Sequence, residues 1–325
     1  MVTNDKDILL KDIKPVEPVV TPRPPSDKRK LSPSSIITYR SCPRQFYYRY
    51  IMRLPTILNI HLIKGTVVHA VFETLFNKKT FYKKDLEGES LKLFEKLWGR
   101  EKEKLSTLTL DPVELAIHKN DCVNMVNSYV TKIRIDMKML MELGKAKNEG
   151  HAYMLVRPQF KEMYLHDTEL QLHGYIDRVH TDWDGQTTIG DYKTSNRYGL
   201  GIKDDYELQC GLYALLYNRV KHLNADWTSI IFLRYGTEVM TRVTPTTIKY
   251  ALEAVKEVRD KTDATIEKED YPMKESKLCK WCNYYDRCAG LRETEDDIRQ
   301  KKAIEELTAQ KGKDKLAQTK IPDKG

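Results

Sequence analysis

The chain has 325 residues, with 55 Lys+Arg against 47 Asp+Glu and a net charge of +8. Hydrophobic residues make up 40% and charged residues 31%, the balance of a soluble globular protein with polar ends. No stretch approaches the ~20 apolar residues of a membrane span, so no membrane partner is expected. Residues 1–30 lack the apolar core of an export signal, so a reducing, cytoplasmic setting is expected. There the six cysteines read as ligands or buried thiols rather than disulfides. The basic excess permits nucleic-acid binding without demonstrating it.

Residues 1–30 hold Pro15, Pro18, Pro22, Pro24 and Pro25 and no aromatic residue. They bury too little apolar surface to offset ordering entropy and read as a disordered arm. Residues 31–290 read as one dense domain, and residues 291–325 as a charged, Lys-rich tail. Ser34 or Ser35 can cap a short helix toward Cys42, where Pro43 interrupts it. A helix is predicted over Thr66 to Asn77, with Val68, Phe72, Leu75 and Phe76 on one side. Asp111-Pro112 starts another, running to about Leu143. The period then changes. His151 to Tyr164, Glu169 to Thr181 and Thr187 to Tyr192 are predicted strands, the last two joined by a turn at Asp184-Gly185. Asp205 to His222 is predicted helical, Thr228 to Tyr235 and Val239 to Val243 extended, and Pro245 to Lys268 helical. This order predicts an α/β fold, a mixed central sheet flanked by helices.

Four residues on the central elements suggest chemistry. Asp177 lies in Gly174-Tyr175-Ile176-Asp177-Arg178, directly after apolar and aromatic residues of a predicted strand. Asp191 and Lys193, two apart on the next strand, point to one face. The hairpin can bring Asp177 beside Asp191. Adjacent carboxylates repel unless a cation neutralises them, and hard oxygen ligands suit Mg²⁺ or Mn²⁺. His69 adds a nitrogen ligand from a helix. A lysine beside such an ion can orient water or neutralise a phosphate, which is equipment for phosphodiester hydrolysis.

The series resembles the PD-(D/E)XK nuclease superfamily, in particular its RecB-like exonuclease branch. Gly65 to Glu73 is similar to that branch's histidine motif, Gly174 to Arg178 to its Asp motif, and Asp191-Tyr192-Lys193-Thr194 to its Asp-x-Lys motif. Gln209 and Tyr213 match its Gln-x-x-x-Tyr motif; one turn apart, they share a face that can reach DNA. Ile176 stands where the superfamily name expects proline. The resemblance implies a restriction-endonuclease-like core. It also implies a metal held by His69, Asp177, Asp191 and the Tyr192 carbonyl, with Lys193 assisting the attacking water.

Cys279, Cys282 and Cys288 form Cys-x2-Cys-x5-Cys, and Cys42 stands far upstream. Three close cysteines and one distant one complete a Cys₄ site for either iron–sulfur or zinc. Spacing leaves that choice open. The pattern is similar to AddB-type and four-cysteine CRISPR-associated nucleases, which implies a [4Fe–4S] cluster joining the two ends of the domain. Cys122 and Cys210 read as buried thiols. Arg40, Arg44, Arg49 and Arg53 interleave with Tyr39, Phe46, Tyr47, Tyr48 and Tyr50. They suit either phosphate and base contacts or packing around the cysteines. Arg178, Arg197 and Arg234 are further candidates for phosphate contact.

The sequence therefore predicts a metal-dependent deoxyribonuclease acting on single-stranded DNA or DNA ends, in repair, recombination or phage DNA metabolism. The cellular setting implied is a prokaryotic cell or a phage-infected host. No Gly-x4-Gly-Lys-Ser/Thr motor motif occurs, so unwinding would need a separate helicase or recombination protein. A CRISPR spacer-processing nuclease and a non-catalytic, cluster-stapled DNA-binding module are the alternatives.

Overall fold

A computed structural model describes residues 29–76, 85–195 and 204–289. The chain divides into two compact units, one ending at Met273 and one beginning at Lys274. Of the expected arm over 1–30, residues 1–28 lie outside the described residues, as does the expected tail over 291–325; Arg29 is described, and its Nη1 donates to the Tyr50 carbonyl at 3.2 Å.

The first unit opens with helices. Ser32 caps α1 (Pro33–Ser41) by accepting the Ser35 amide, with proline at the first turn. Cys42 breaks it, α2 (Pro43–Phe46) follows, and a π-helical turn covers Tyr47–Ile51. Asn59 caps α3 (Ile60–Leu75), longer at its start than the predicted helix. Next come α4 (Leu86–Arg100), α5 (Lys102–Ser106) and α6 (Pro112–Glu142). Asp111 caps α6 in a capping box with Glu114, as its Asp-Pro start predicts. Apolar faces of α3, α4 and α6 share one core, containing Val68, Phe72, Phe94, Met125 and Val130.

The first predicted strand is corrected in its first half. His151–Val156 belongs to α7 (Glu149–Val156), capped by the Asn148 side chain accepting the His151 amide. Ala152 and Tyr153 are buried against the helical core. A short run of mixed apolar residues lacks the length to separate the two periods, and tertiary burial decides. The strand proper is β1 (Phe160–Asp167), followed by β2 (Leu172–Thr181) and β3 (Thr187–Lys193). The loop joining β2 and β3 is wider than an Asp-Gly pair. Asp182 accepts the amides of Asp184 and Gln186, and Gly185 takes φ 79°. The chain then forms α8 (Asp204–Lys221), β4 (Trp227–Phe232), β5 (Thr237–Arg242) and α9 (Pro245–Thr262).

The five strands lie in the order β1-β2-β3-β4-β5. Only β3 and β4 are parallel, joined by the α8 crossover, and every other pair is antiparallel. This is the mixed, helix-flanked α/β sheet that the sequence predicts. The two faces of β3 and β4 differ. Tyr192, Ile231 and Leu233 enter the α3–α6 core, whereas Ile230 and Phe232 pack with Cys210 of α8.

The second unit, taken alone, has a 3₁₀ turn at Cys279–Trp281 and a short helix, α10 (Tyr285–Ala289). The Cys282 amide donates to the Cys279 carbonyl, and the Ser276 amide lies 3.3 Å from Cys279 Sγ.

Candidate active site

The end of β3 carries the first half of the site. Asp191 and Lys193 share a face, as the strand period requires, and both reach Gln209 on α8. Lys193 Nζ donates to Gln209 Oε1 at 2.7 Å, and Gln209 Nε2 donates to Asp191 Oδ1 at 2.8 Å. Lys193 Nζ also stands 2.7 Å from Asp191 Oδ2. The Tyr213 hydroxyl, one turn along α8, accepts from Gln209 Nε2 at 3.2 Å. Tyr192 points the other way, its ring 5.4 Å from Tyr129 and 5.6 Å from Phe72. Gly174 makes room for Tyr213: a β-carbon there would lie 3.2 Å from Tyr213 Cε1 and 3.3 Å from Pro33 Cδ.

The second half forms where two ladders are interrupted. Pairing between β2 and β3 runs from Thr181↔Thr187 to Arg178↔Gly190. The next residue, Asp177, uses its side chain instead, and Oδ2 accepts the Tyr192 amide at 2.8 Å. On the other side, β1 pairs through Lys161↔Arg178 and again from Met163↔Ile176. Glu162, opposite Asp177 in that register, is skipped and has φ 46°. A left-handed non-glycine residue costs roughly 1–3 kcal/mol and persists only where its surroundings hold it. Here the distortion brings Glu162 toward Asp177 and His69 of α3. One ligand atom from each of the three residues lies within 4.8 Å of the others, and His69 Nδ1 is 3.5 Å from Asp177 Oδ2.

The electrostatics are those of an acidic site. Burial, then the charge of Asp177, pushes the Glu162 carboxyl up to about 7. Burial opposes the charged form of His69, yet its bond to Asp177 and the surrounding carboxylates raise its pKa. Burial also raises Asp191, with Lys193 opposing and Asp177 adding to the rise. Lys193 is raised because Asp191 outweighs the effect of burial, so its ammonium stays charged. Two carboxylates supply hard oxygen donors and an imidazole nitrogen a borderline one, and the raised Glu162 and His69 record the crowding of carboxylates there. That set fits a divalent cation such as Mg²⁺ or Mn²⁺.

Of the expected ligands, His69 and Asp177 converge, and Asp191 sits beside them in the Lys193–Gln209 network. Glu162 was not anticipated. In Phe160-Lys161-Glu162-Met163-Tyr164 it looks like an ordinary polar position of an edge strand, and only the register reveals it. Arg178 is placed differently from expectation. It is 7% exposed, and its Nη1 donates to Glu238 at 2.9 Å, so the guanidinium serves the sheet rather than a phosphate. Arg44 Nε donates to the Tyr271 carbonyl at 2.7 Å, and Arg234 is paired with Asp121. Arg197 lies outside the described residues. Phe46 and Tyr39 pack against Tyr271, which favours the packing role for part of that aromatic segment. Cys122 and Cys210 are buried, and burial pushes both thiols up to about 12.

Residues 30–289 match the PD-(D/E)XK nuclease superfamily. The chain belongs to this superfamily of hydrolytic nucleases, whose members use divalent metal ions. The crystal structure of a candidate exonuclease from Eubacterium rectale is similar at a TM-score of 0.43 and 14% identity, over 78% of this chain and 87% of that one. No curated protein matches the sequence.

Proposed function

We propose that the protein is a Mg²⁺- or Mn²⁺-dependent deoxyribonuclease of the RecB-like branch, an exonuclease on single-stranded DNA or DNA ends. The observation that carries this reading is the convergence of His69, Glu162 and Asp177 beside the Asp191–Lys193–Gln209 network. His69, Glu162, Asp177, Asp191 and the Tyr192 carbonyl are the proposed ligand groups. A bound divalent ion would activate the attacking water and neutralise the scissile phosphate.

The chain's own residues have distinct tasks. Lys193, kept protonated by Asp191, presents a positive charge to the phosphate oxygens, on which negative charge builds in the transition state. Gln209 fixes both partners, holding Lys193 through its carbonyl oxygen and Asp191 through its amide. Tyr213 fixes Gln209 in turn. Water attack in line at phosphorus breaks the bond to the 3′-oxygen and leaves a 5′-phosphate.

Cys42, Cys279, Cys282 and Cys288 are assigned to one four-cysteine site on their spacing, and to a [4Fe–4S] cluster in preference to zinc on the family resemblance alone. Repair, recombination and phage DNA metabolism are the proposed settings, with a separate helicase or recombination protein as partner. The rival binding module has no use for an intact Asp191–Lys193 pair beside an acidic triad.

The test incubates end-labelled linear and circular DNA, single- and double-stranded, with Mg²⁺, Mn²⁺ or EDTA. Metal-dependent shortening of linear single strands, with circles intact, is expected. Asp177→Ala, Asp191→Ala and Lys193→Ala should each abolish it. Wild-type cutting by Asp191→Ala would refute the site, and binding without cleavage of any substrate would select the binding module.

A further inference from the structure

Beyond the interrupted Glu162–Asp177 position, the β1–β2 ladder resumes through Met163↔Ile176, Tyr164↔Tyr175, Leu165↔Gly174 and His166↔His173. Side chains alternate between faces there. Leu165, Leu172 and Ile176 are buried, and Gly174 lies against Tyr213 and Leu216 of α8. Tyr164, Tyr175, His166 and His173 therefore occupy the opposite face. Tyr164 and Tyr175 are 48% and 55% exposed, and their ring centroids are 4.9 Å apart. The His173 ring lies 6.0 Å from Tyr164, and His166 lies 6.5 Å from His173. The result is a row of four rings along one hairpin face, headed by two exposed tyrosines.

The position of this row is informative. Tyr164 is two residues from Glu162 and Tyr175 two from Asp177, a step of about 7 Å along each strand. Charge flanks the acidic site on both sides. Lys30 acts electrostatically on His173 at the far end of the row. Lys161, beside Arg157, stands just past Glu162 at the near end. A polyanion crossing the site would meet a cation, then rings, then the metal ligands, then cations again.

We propose that Tyr164 and Tyr175 form a stacking platform for unpaired bases of single-stranded DNA, next to the site of cleavage. Every base offers a π-face, so stacking on exposed tyrosines holds a strand without reading its sequence. A duplex keeps its base faces inside the stack and cannot use the platform. The choice of DNA rests on the nuclease reading above; the preference for unpaired bases rests on the rings.

The test uses the full chain in EDTA, with a 5′-fluorescein oligothymidylate and a matched duplex, read by fluorescence anisotropy. Tyr164→Ala and Tyr175→Ala should each weaken single-strand binding by about tenfold, and the double variant by more. The Phe variants should stay within about twofold of wild type, since the ring and not the hydroxyl is used. Duplex binding should change little in all of them. Single-strand binding by the double alanine variant that equals wild type, at an unchanged Tm, would overturn the platform. An equal loss for duplex and single strand would also overturn it. A parallel Mn²⁺ cleavage assay separates the two claims. Binding lost in the alanine variants of a protein that never cuts DNA would keep the platform and remove the nuclease. Cleavage with unaffected alanine variants would do the reverse.

Discussion

Glu162 shows how much one residue can change a site. Its left-handed backbone places a carboxylate against Asp177, an arrangement that costs free energy while no cation is bound. Its pKa of about 7 exceeds the usual carboxylate value, so the folded chain holds a proton that the unfolded chain releases. That contribution to stability is lost as pH rises through about 7. His69, also raised, adds in the same direction: its stabilisation is complete below the unfolded value of about 6.5 and is lost as pH rises past the folded one. These two groups should therefore lower the stability of metal-free protein between pH 5 and pH 8. His180, which burial holds at about 4, acts the other way, so the effect is read as a difference between variants. Mg²⁺ or Mn²⁺ should restore more Tm at pH 8 than at pH 5. Glu162→Gln removes the repulsion. In EDTA it should melt higher than wild type at pH 8 and close to wild type at pH 5, and in Mg²⁺ or Mn²⁺ its cleavage should be abolished. Scanning fluorimetry across pH and metal concentration checks both. A metal-free Tm difference between Glu162→Gln and wild type that does not grow from pH 5 to pH 8 would contradict the assignment.

At the level of elements, β2 and β3 owe their geometry to two glycines. Gly174 lets α8 bring Tyr213 onto β2, and Gly190 sits in register between Arg178 of β2 and Ser229 of β4. A β-carbon at Gly190 would lie 3.0 Å from Ser229 Oγ. The small residues leave Arg178 room to reach Glu238 on β5, across two intervening strands. Burial alone would raise Glu238, but Arg178 and Lys132 outweigh it and hold the carboxyl at about 2. Glu238→Ala should destabilise the unit by about 3–5 kcal/mol, because it leaves a buried guanidinium unpaired. Urea unfolding measures this; a loss below about 1 kcal/mol would show that solvent reaches Arg178. Gly174→Ala should cost about 1–3 kcal/mol through overpacking. It should also lower kcat, since displacing Tyr213 loosens Gln209 and with it Lys193. A variant with reduced stability but wild-type kcat would show that Tyr213 does not position the network.

Over the whole molecule, the proposed cluster divides the cysteines into two classes. Cys122 and Cys210 lie in apolar surroundings with raised thiol pKa values, so neither favours the thiolate that a metal needs. Cys122→Ser and Cys210→Ser should retain colour and iron. Cys42→Ala or Cys282→Ala should give colourless, poorly soluble and inactive protein. The proposed cluster, if it takes Cys42 together with the distant trio, would close a loop of more than two hundred residues, a closure effect of roughly 5 kcal/mol. That is comparable to the ~5–15 kcal/mol stability of a typical domain. Iron, sulfide and zinc analysis of anaerobically purified protein reads the outcome. Zinc without iron would move the site to the structural-zinc class, and wild-type iron in Cys42→Ala would remove that residue from the ligand set.

The sequence alone determined the order of elements from α8 onward and the capped start of α6, and it singled out His69, Asp177, Asp191, Lys193, Gln209 and Tyr213 as motif residues, which the fold then brings near one another. These signals are local: a capping residue before proline, a two-residue strand period, a one-turn helical spacing. It misread His151–Val156, where a short apolar run carries no decisive period and burial against the α3–α6 core selected helix. It could not find Glu162, because a glutamate on an edge strand looks the same whether it faces water or a partner carboxylate. Nor could it separate Arg178, which pairs with Glu238 sixty residues away, from an arginine waiting for phosphate. Those three outcomes depend on strand register and on which face is covered, and both are set by contacts between segments far apart in the chain. Only the tertiary structure decides them.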